Sequence, residues 1–294
     1  MVNVGKNLNV DIVDVFTDKV GEGNPVAIIH DADNIEDARM QKIASWIGLP
    51  ETVFLVTPKG ANADYAVRIF APSCELNFAG HPSIGALASL RNRYEDWRDR
   101  KDFIQECNAG EVQMLVEHHE NKAIILFETP VVAEVTPLAS ETEVKFRQAI
   151  SVHKKASSCD LVHAGANWII MLFEDECDVS SAIPNQEKIL ELSHEHDVSG
   201  VTIIAPISYE PSQYQVRSFA PIIGVPEDAA CGGGNACAAA SVAVANGNIP
   251  VHYVARQGQK LKRNAFLFAS SSDKPGRFKI GGEAKIAVSG SFHF

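Results

Sequence analysis

Tyr65-Ala66-Val67-Arg68-Ile69-Phe70-Ala71-Pro72 returns later in the chain as Tyr214-Gln215-Val216-Arg217-Ser218-Phe219-Ala220-Pro221. Both stretches read Tyr-x-Val-Arg-x-Phe-Ala-Pro, and their offset, 214 − 65 = 149, is about half of the 294 residues. Two copies so far apart are not a solenoid array, whose repeats run to roughly 20–50 residues. They predict two similar halves. Each copy reads as a strand and leads through a turn-rich segment to glycine and a helix of small residues. The first continues as Phe78-Ala79-Gly80-His81-Pro82, the second as Glu227-Asp228-Ala229-Ala230-Cys231-Gly232-Gly233-Gly234-Asn235.

Working outward, residues 9–16 and Val26–Ile29 read as strands, separated by the turn signals Gly21, Gly23, Asn24 and Pro25. Met40, Ile43, Ala44 and Ile47 recur at helical spacing, with Asn34 as the expected N-terminal cap and Gly48 and Pro50 as the stop. Glu51–Val56 follows as a buried strand, so Glu51 stands at its mouth. A helix is predicted from His81 to about Arg91, then a hairpin pairing Glu111–Glu117 with Ala123–Phe127. Beyond Pro130 come helices near 141–150 and 185–194, strands at Trp168–Phe173, Val201–Ala205 and Tyr214–Phe219, and an alanine-rich helix from Asn235 to Asn246. Short strands at Val251–Ala255, Ala265–Ala269, Phe278–Ile280 and Ala284–Val288 complete the chain. The domain reading is 1–130 and 131–283, with a last strand at about 284–294 able to return to the first half. Helices made of small residues imply close packing inside a curved sheet.

An apolar content of 46% with 21% charged residues is that of a globular protein, and the length suits two domains. The formal net charge of −11 argues against nucleic acid or an anionic membrane as partner, and leaves small anionic substrates open. No stretch approaches the roughly 20 apolar residues of a membrane span. The opening Met1-Val2-Asn3-Val4-Gly5-Lys6-Asn7 lacks the layout of a signal peptide. Cysteines at 74, 107, 159, 177, 231 and 237 show no Cys-x-x-Cys pair, which favours reduced thiols in the cytoplasm over disulfides or a metal site.

Candidate chemistry gathers at the two glycine-marked helix starts. Free N–H groups and the positive helix end make each an anion site, and the pair predicts a small carboxylate substrate held by Gly80, Gly232 and Gly233. Packing of helix on sheet would explain a single such glycine; two at equivalent places favour a ligand. Glu51 can be a general acid or base if its apolar neighbours Leu49, Pro50, Val53 and Phe54 enclose it, although a glutamate after a turn proline is ordinarily solvated. His81 opens a helix, where the dipole favours neutral imidazole; a packing role fits equally. Asp228 can cap the second helix or hold substrate. Cys231 is a buried small side chain or a thiol at a helix start. Asn24 makes a turn or touches substrate. Arg68 and Arg217 fit an ion pair across the domain joint or a carboxylate clamp.

Read together, several stretches resemble the phenazine-biosynthesis (PhzF-like) isomerase family. They are Asp14–Thr17 with Gly23–Ala27, Leu49–Phe54, Val67–Pro72, Phe78–Pro82, Glu227-Asp228 before Cys231-Gly232, Gln257-Gly258 with Arg263, and Gly281–Ala284. The likeness runs in order over nearly the whole chain. It implies a diaminopimelate epimerase-like α+β fold: two pseudo-symmetric halves, each a curved, barrel-like, mostly antiparallel sheet around a central helix, with the active site in the cleft between them. It implies a cofactor-independent isomerase and a homodimer. In it Glu51 shuttles a proton on a small carboxylic acid while His81 and Asp228 hold or polarise the substrate; Asn24, Arg68, Gly80, Cys231, Gly232 and Gly233 are the binding candidates.

Three departures accompany the resemblance. Ala79 replaces the first cysteine of the related two-thiol epimerases, and only Cys231 matches the second. Ala229 and Gly233 stand where the family carries proline and a small polar residue. Lys262 and Asn264 flank Arg263 in place of glycine and proline. Two rivals follow: a racemase or hydro-lyase using Cys231 as a lone base, which alkylation would kill, and a metabolite-binding protein without turnover.

Overall fold

The computed structural model describes residues 7–119 and 122–293; the opening segment before Asn7 and the tip of the predicted hairpin at 120–121 lie outside it. The chain forms two compact units, one running to Phe127 and resuming at Glu283, the other Glu128–Gly282. The elements are, in order, β1 (Asn7–Val15), β2 (Asn24–Ile29), α1 (Asp37–Ile47), β3 (Glu51–Val56), β4 (Tyr65–Phe70), β5 (Glu75–Leu76), α2 (Gly80–Arg93), β6 (Asp102–Cys107), β7 (Gly110–His119) and β8 (Lys122–Glu128). The second unit supplies β9 (Glu134–Pro137), α3 (Ser140–Ala149), β10 (Ser158–His163), β11 (Asn167–Leu172), α4 (Glu176–Ser181), α5 (Gln186–His196), β12 (Val201–Ile207) and β13 (Glu210–Ala220). It continues with β14 (Val225–Asp228), α6 (Gly232–Ala245), β15 (His252–Gln257), β16 (Ala265–Ser271) and β17 (Phe278–Gly282). β18 (Ala284–His293) pairs with β1 in the first unit.

The repeat governs topology. In the first unit the strand order is β18-β1-β2-β3-β4-β6-β7-β8, antiparallel except at β2–β3 and β4–β6. The second unit repeats it as β9-β10-β11-β12-β13-β15-β16-β17, antiparallel except at β11–β12 and β13–β15. In the first unit α2 touches β18 at one end of the order and Phe127 of β8 at the other. In the second, α6 touches β9 and β10 at one end and β16 and β17 at the other. A sheet whose two ends meet one helix is curved around it. Only small residues allow that enclosure: a Cβ on Gly85 would sit 2.4 Å from Val26 Cγ1, and one on Gly234 would sit 2.4 Å from Thr202 Oγ1.

The repeat is also written in buried polar pairs. Asp11 of β1 accepts from Ser89 of α2, and Asp160 of β10 accepts from Ser241 of α6; the offsets are 160 − 11 = 149 and 241 − 89 = 152. Burial alone would raise the Asp11 pKa, but bonds from His30, Ser89, Ser289 and Arg93 outweigh it and hold the carboxyl well below its usual range. Gln105 donates to Ser83 at 2.8 Å, and Gln257 pairs with Asn235 at 2.9 Å, each separated by 152 residues from its counterpart.

The outer face of the first sheet is closed by α1, whose Met40, Ile43 and Ala44 pack with Leu8, Ile29, Phe54 and Phe70. In the second unit Phe146, Ile189 and Leu192 meet Ile169, Ile203 and Phe219. Two expectations are corrected, and three strands come in addition to those expected. α1 starts at Asp37 after Glu36, with no side-chain cap, so Asn34 does not cap it; the Asp37 carboxylate is instead paired with Arg68. α6 begins at Gly232, three residues before the predicted start, because the glycines themselves wind into its first turn. β6, β9 and β10 carry charges that hide their apolar pattern, and they form because Phe103 and Val162 are buried between neighbouring strands.

Candidate active site

Three local features bring side chains together in the first unit. β2 and β3 are parallel with Val26 opposite Glu51, so Asn24-Pro25 and Glu51 lie at the same end of adjacent strands. Gly48, in the left-handed conformation at φ 69°, ends α1 and lets the chain turn into Glu51. Phe54 faces the α1 cluster, so Glu51, three positions earlier, faces α2 on the other side of the sheet. There the Glu51 Oε2 lies 3.1 Å from Nε2 of His81, the second residue of α2. Glu51 is 7% exposed and His81 4%. The solvated turn glutamate that the residues alone suggest is therefore replaced by a buried one.

His81 is neutral at physiological pH: burial pushes its pKa down to about 3, against a smaller upward pull from the Pro25 carbonyl. The cause is desolvation, not the helix dipole. Nε2 faces Glu51 and makes no aligned hydrogen bond, so the N–H that donates to Pro25 is Nδ1. That tautomer turns a lone pair toward the carboxyl group. Asn24 is fully buried at the first position of β2, next to Pro25 in sequence.

In the second unit β14 delivers Asp228 to the approach of α6. Asp228 Oδ1 accepts from the Ala230 N–H at 3.2 Å, so it closes a turn and does not cap the helix. Cys231 is the cap: its Sγ accepts from the Gly234 N–H at 3.3 Å, and it is 6% exposed. Sequence reasoning gave Gln257 no role, yet it holds this segment. Its Nε2 donates to the Asp228 carbonyl at 3.0 Å, and its Oε1 accepts from Asn235 at 2.9 Å and from the Cys231 N–H at 3.3 Å. The 152-residue offset from Gln105 was the available signal. Gly258, at φ 96°, brings the loop carrying Lys262 and Arg263 against the Ala229 carbonyl, where a Cβ would sit at 2.7 Å. Gly233 differs from Gly234: a Cβ there would meet only Trp168 Nε1, at 3.5 Å.

Arg68 does not join Glu51 and His81. It lies opposite Phe54 in the β3–β4 register and so faces α1, where Glu75 takes two of its three guanidinium nitrogens at 2.8 Å and Asp37 the third. Its counterpart Arg217 grips Glu227 at 2.8 and 2.9 Å and the Val179 and Ala182 carbonyls. Both are forks inside their own unit, so the ion pair across a joint, one of two roles open to them, is replaced by these local ones. Among the described residues no disulfide forms, no group of three His, Cys, Asp or Glu side chains is placed to hold a metal ion, and no helix is long and apolar enough to cross a membrane.

Comparison with known proteins places this geometry. Residues 13–290 match the PhzC-PhzF family, described as phenazine biosynthesis-like protein. Antisense-enhancing sequence 1 of Schizosaccharomyces pombe is 34% identical over 95% of this chain and 96% of its own. The trans-2,3-dihydro-3-hydroxyanthranilate isomerase of Pseudomonas fluorescens is 28% identical over 90% of this chain and 91% of its own. The crystal structure of the Bacillus anthracis phenazine biosynthesis protein, PhzF family, superposes with a TM-score of 0.84 at 22% identity, covering 98% of this chain and 99% of that one. The fold and sequence thus define a PhzF-like isomerase. The chain belongs to the phenazine biosynthesis-like family.

Proposed function

We propose that this isomerase works without a cofactor, moving a proton between carbons of a small unsaturated carboxylic acid, with Glu51 as the acid and base. The observation that carries the reading is the buried Glu51–His81 pair at 3.1 Å. A carboxylate that must take a proton from carbon needs a dry setting and a fixed direction. Neutral His81, held through Nδ1 by the Pro25 carbonyl, offers Nε2 as an acceptor for the Glu51 O–H once the proton has moved. In the first step the substrate C–H bond breaks, Glu51 gains the proton, and the electron pair spreads into the adjacent double bond. In the second, Glu51 returns the proton to the far carbon of that system. Asp228 and the N–H groups opening α6 at Gly232 and Gly233 are assigned to binding, where they would steady substrate oxygens.

The experiment is hydrogen exchange at carbon. The protein is incubated in D2O with unsaturated, amino and hydroxy acids, and deuterium uptake is followed by NMR in the wild type, Glu51→Gln and Cys231→Ala. Exchange is expected in the wild type and Cys231→Ala and to fall by roughly 100-fold or more in Glu51→Gln. Full exchange in folded Glu51→Gln, or loss confined to Cys231→Ala, overturns the assignment.

A further inference from the structure

Strand parity in the second unit sends one aromatic side chain to the start of α6. β11 and β12 run parallel with Ile169 opposite Val201, and Ile169, Met171, Val201 and Ile203 belong to the core shared with Phe146, Ile189 and Leu192. Trp168 and Thr202 have the opposite parity and face α6, where a Cβ on Gly234 would sit 2.4 Å from Thr202 Oγ1. Trp168 is 4% exposed, and its Nε1 stands 3.5 Å from where a Cβ on Gly233 would lie. The first unit makes this contact in reverse. Pro25 and Trp168 each stand one residue before the strand position paired with the start of β3 or of β12. In the first unit the ring belongs to the helix: His81, second residue of α2, reaches the Pro25 carbonyl. In the second, the second residue of α6 is Gly233, 152 positions on, and the ring comes from the strand.

An indole carries a donor and no acceptor. The Trp168 N–H has no hydrogen-bond partner among the described residues. It is nevertheless open to solvent, unlike the Asn235 Oδ1 and the Tyr253 hydroxyl, which are sealed without a partner in the same unit. The Gly232 and Gly233 N–H groups beside it are also without a backbone acceptor among the described residues, since Cys231 takes those of Gly234 and Asn235. Three donors therefore meet at the positive end of a 14-residue helix, and an anionic oxygen satisfies all of them. Gly233 keeps the edge of the indole uncovered, because it has no side chain to lie over it.

We infer that Trp168 is a substrate-binding and specificity residue, whose indole N–H donates to the substrate carboxylate at the start of α6 in place of a side chain at position 233. This deepens the reading of α6 as the subsite for substrate oxygens and rests on it, but on neither Glu51 nor proton transfer. A donor without an acceptor favours a carboxylate over its amide, whose NH2 would meet another donor. The test follows the indole N–H signals of the isotope-labelled full-length protein by NMR, assigned through single Trp→Phe variants. Trp46 and Trp97 lie in the first unit and serve as controls. Wild type and Glu51→Gln are titrated with crotonate, sorbate and benzoate, each against its amide at matched ionic strength. The Trp168 signal is expected to shift downfield saturably with at least one acid in both proteins, and with no amide. Trp168→Phe should bind that acid roughly tenfold or more weakly, the loss of one charge-assisted hydrogen bond, and Gly233→Ser added to it should recover most of the affinity by returning a donor to the same place. The wild-type titration decides without any variant at position 168. A Trp168 signal unmoved by every acid, moved as far by the amides, or moved no more than those of Trp46 and Trp97 would overturn the inference, as would unchanged affinity in folded Trp168→Phe. A saturable shift in protein that shows no exchange at carbon supports it and counts against the proton-transfer reading, so the two fail separately.

Discussion

Lowering the pH should unfold this protein partly through one residue, His81. In the unfolded chain its imidazole has its ordinary pKa of 6.5; buried against Glu51 it is held down to about 3. Between those values the unfolded state binds a proton that the folded state does not, so stability rises with pH across that window and is complete above it. The loss at about pH 5 is 1.5 units of pH below the unfolded value, or about 2 kcal/mol at 1.36 kcal/mol per unit, and approaches about 5 kcal/mol near pH 3. A domain with a net stability of about 5–15 kcal/mol feels either. The assay is urea unfolding at about pH 7.5 and about pH 5 in the wild type and His81→Asn, with the ring protons of His81 followed by NMR. Other titrating groups are shared by the two proteins, so the difference between them isolates His81. A ring that titrates near its ordinary value, or a variant whose stability falls with pH as steeply as the wild type, would refute the reasoning.

Three further outcomes follow from the same geometry. Gly233→Ser should change the melting temperature little, since only Trp168 Nε1 stands within reach at 3.5 Å, whereas Gly85→Ala should cost about 1–3 kcal/mol by driving a methyl onto Val26. Asp11→Ala should cost about 3–5 kcal/mol in chemical denaturation, because it strands the Arg93 and His30 partners of a buried carboxylate. In the wild type the Asp11 contribution should be present above the unfolded carboxyl pKa of 3.8 and fade as pH falls toward the lower folded value. Gln257→Ala should leave the circular dichroism spectrum near native while proton exchange on substrate drops, because the Asp228–Asn235 segment loses the three bonds that hold it; unchanged exchange would show that the segment needs no such support.

Periodicity and repetition are local properties of a chain, and what they encode here was legible before any coordinates. The duplicated Tyr-x-Val-Arg-x-Phe-Ala-Pro octet announced two like halves, the alanine-rich stretch announced a helix enclosed by sheet, and the ordered motifs announced the family. The repeat-equivalent pairs Asp11–Ser89 and Asp160–Ser241 were present in the same letters but had no meaning until the strands met the helices. Glu51 could not be told from a solvated turn residue, because its burial depends on α2 arriving across the sheet, about 30 residues later in the chain. Arg68 looked as available for substrate as Arg217, and strand parity decided otherwise by turning it to the α1 face. Cys231 took the cap that Asp228 was one candidate to supply, since only the wound first turn of α6 sets which acceptor reaches the Gly234 N–H. Sequence alone determined most of the elements and their duplication, which rest on contacts between near neighbours; strands such as β6, β9 and β10 did not show in it. Which side chains lie buried together, and so which can exchange a proton, was decided by contacts between residues far apart, and those exist only in the folded chain.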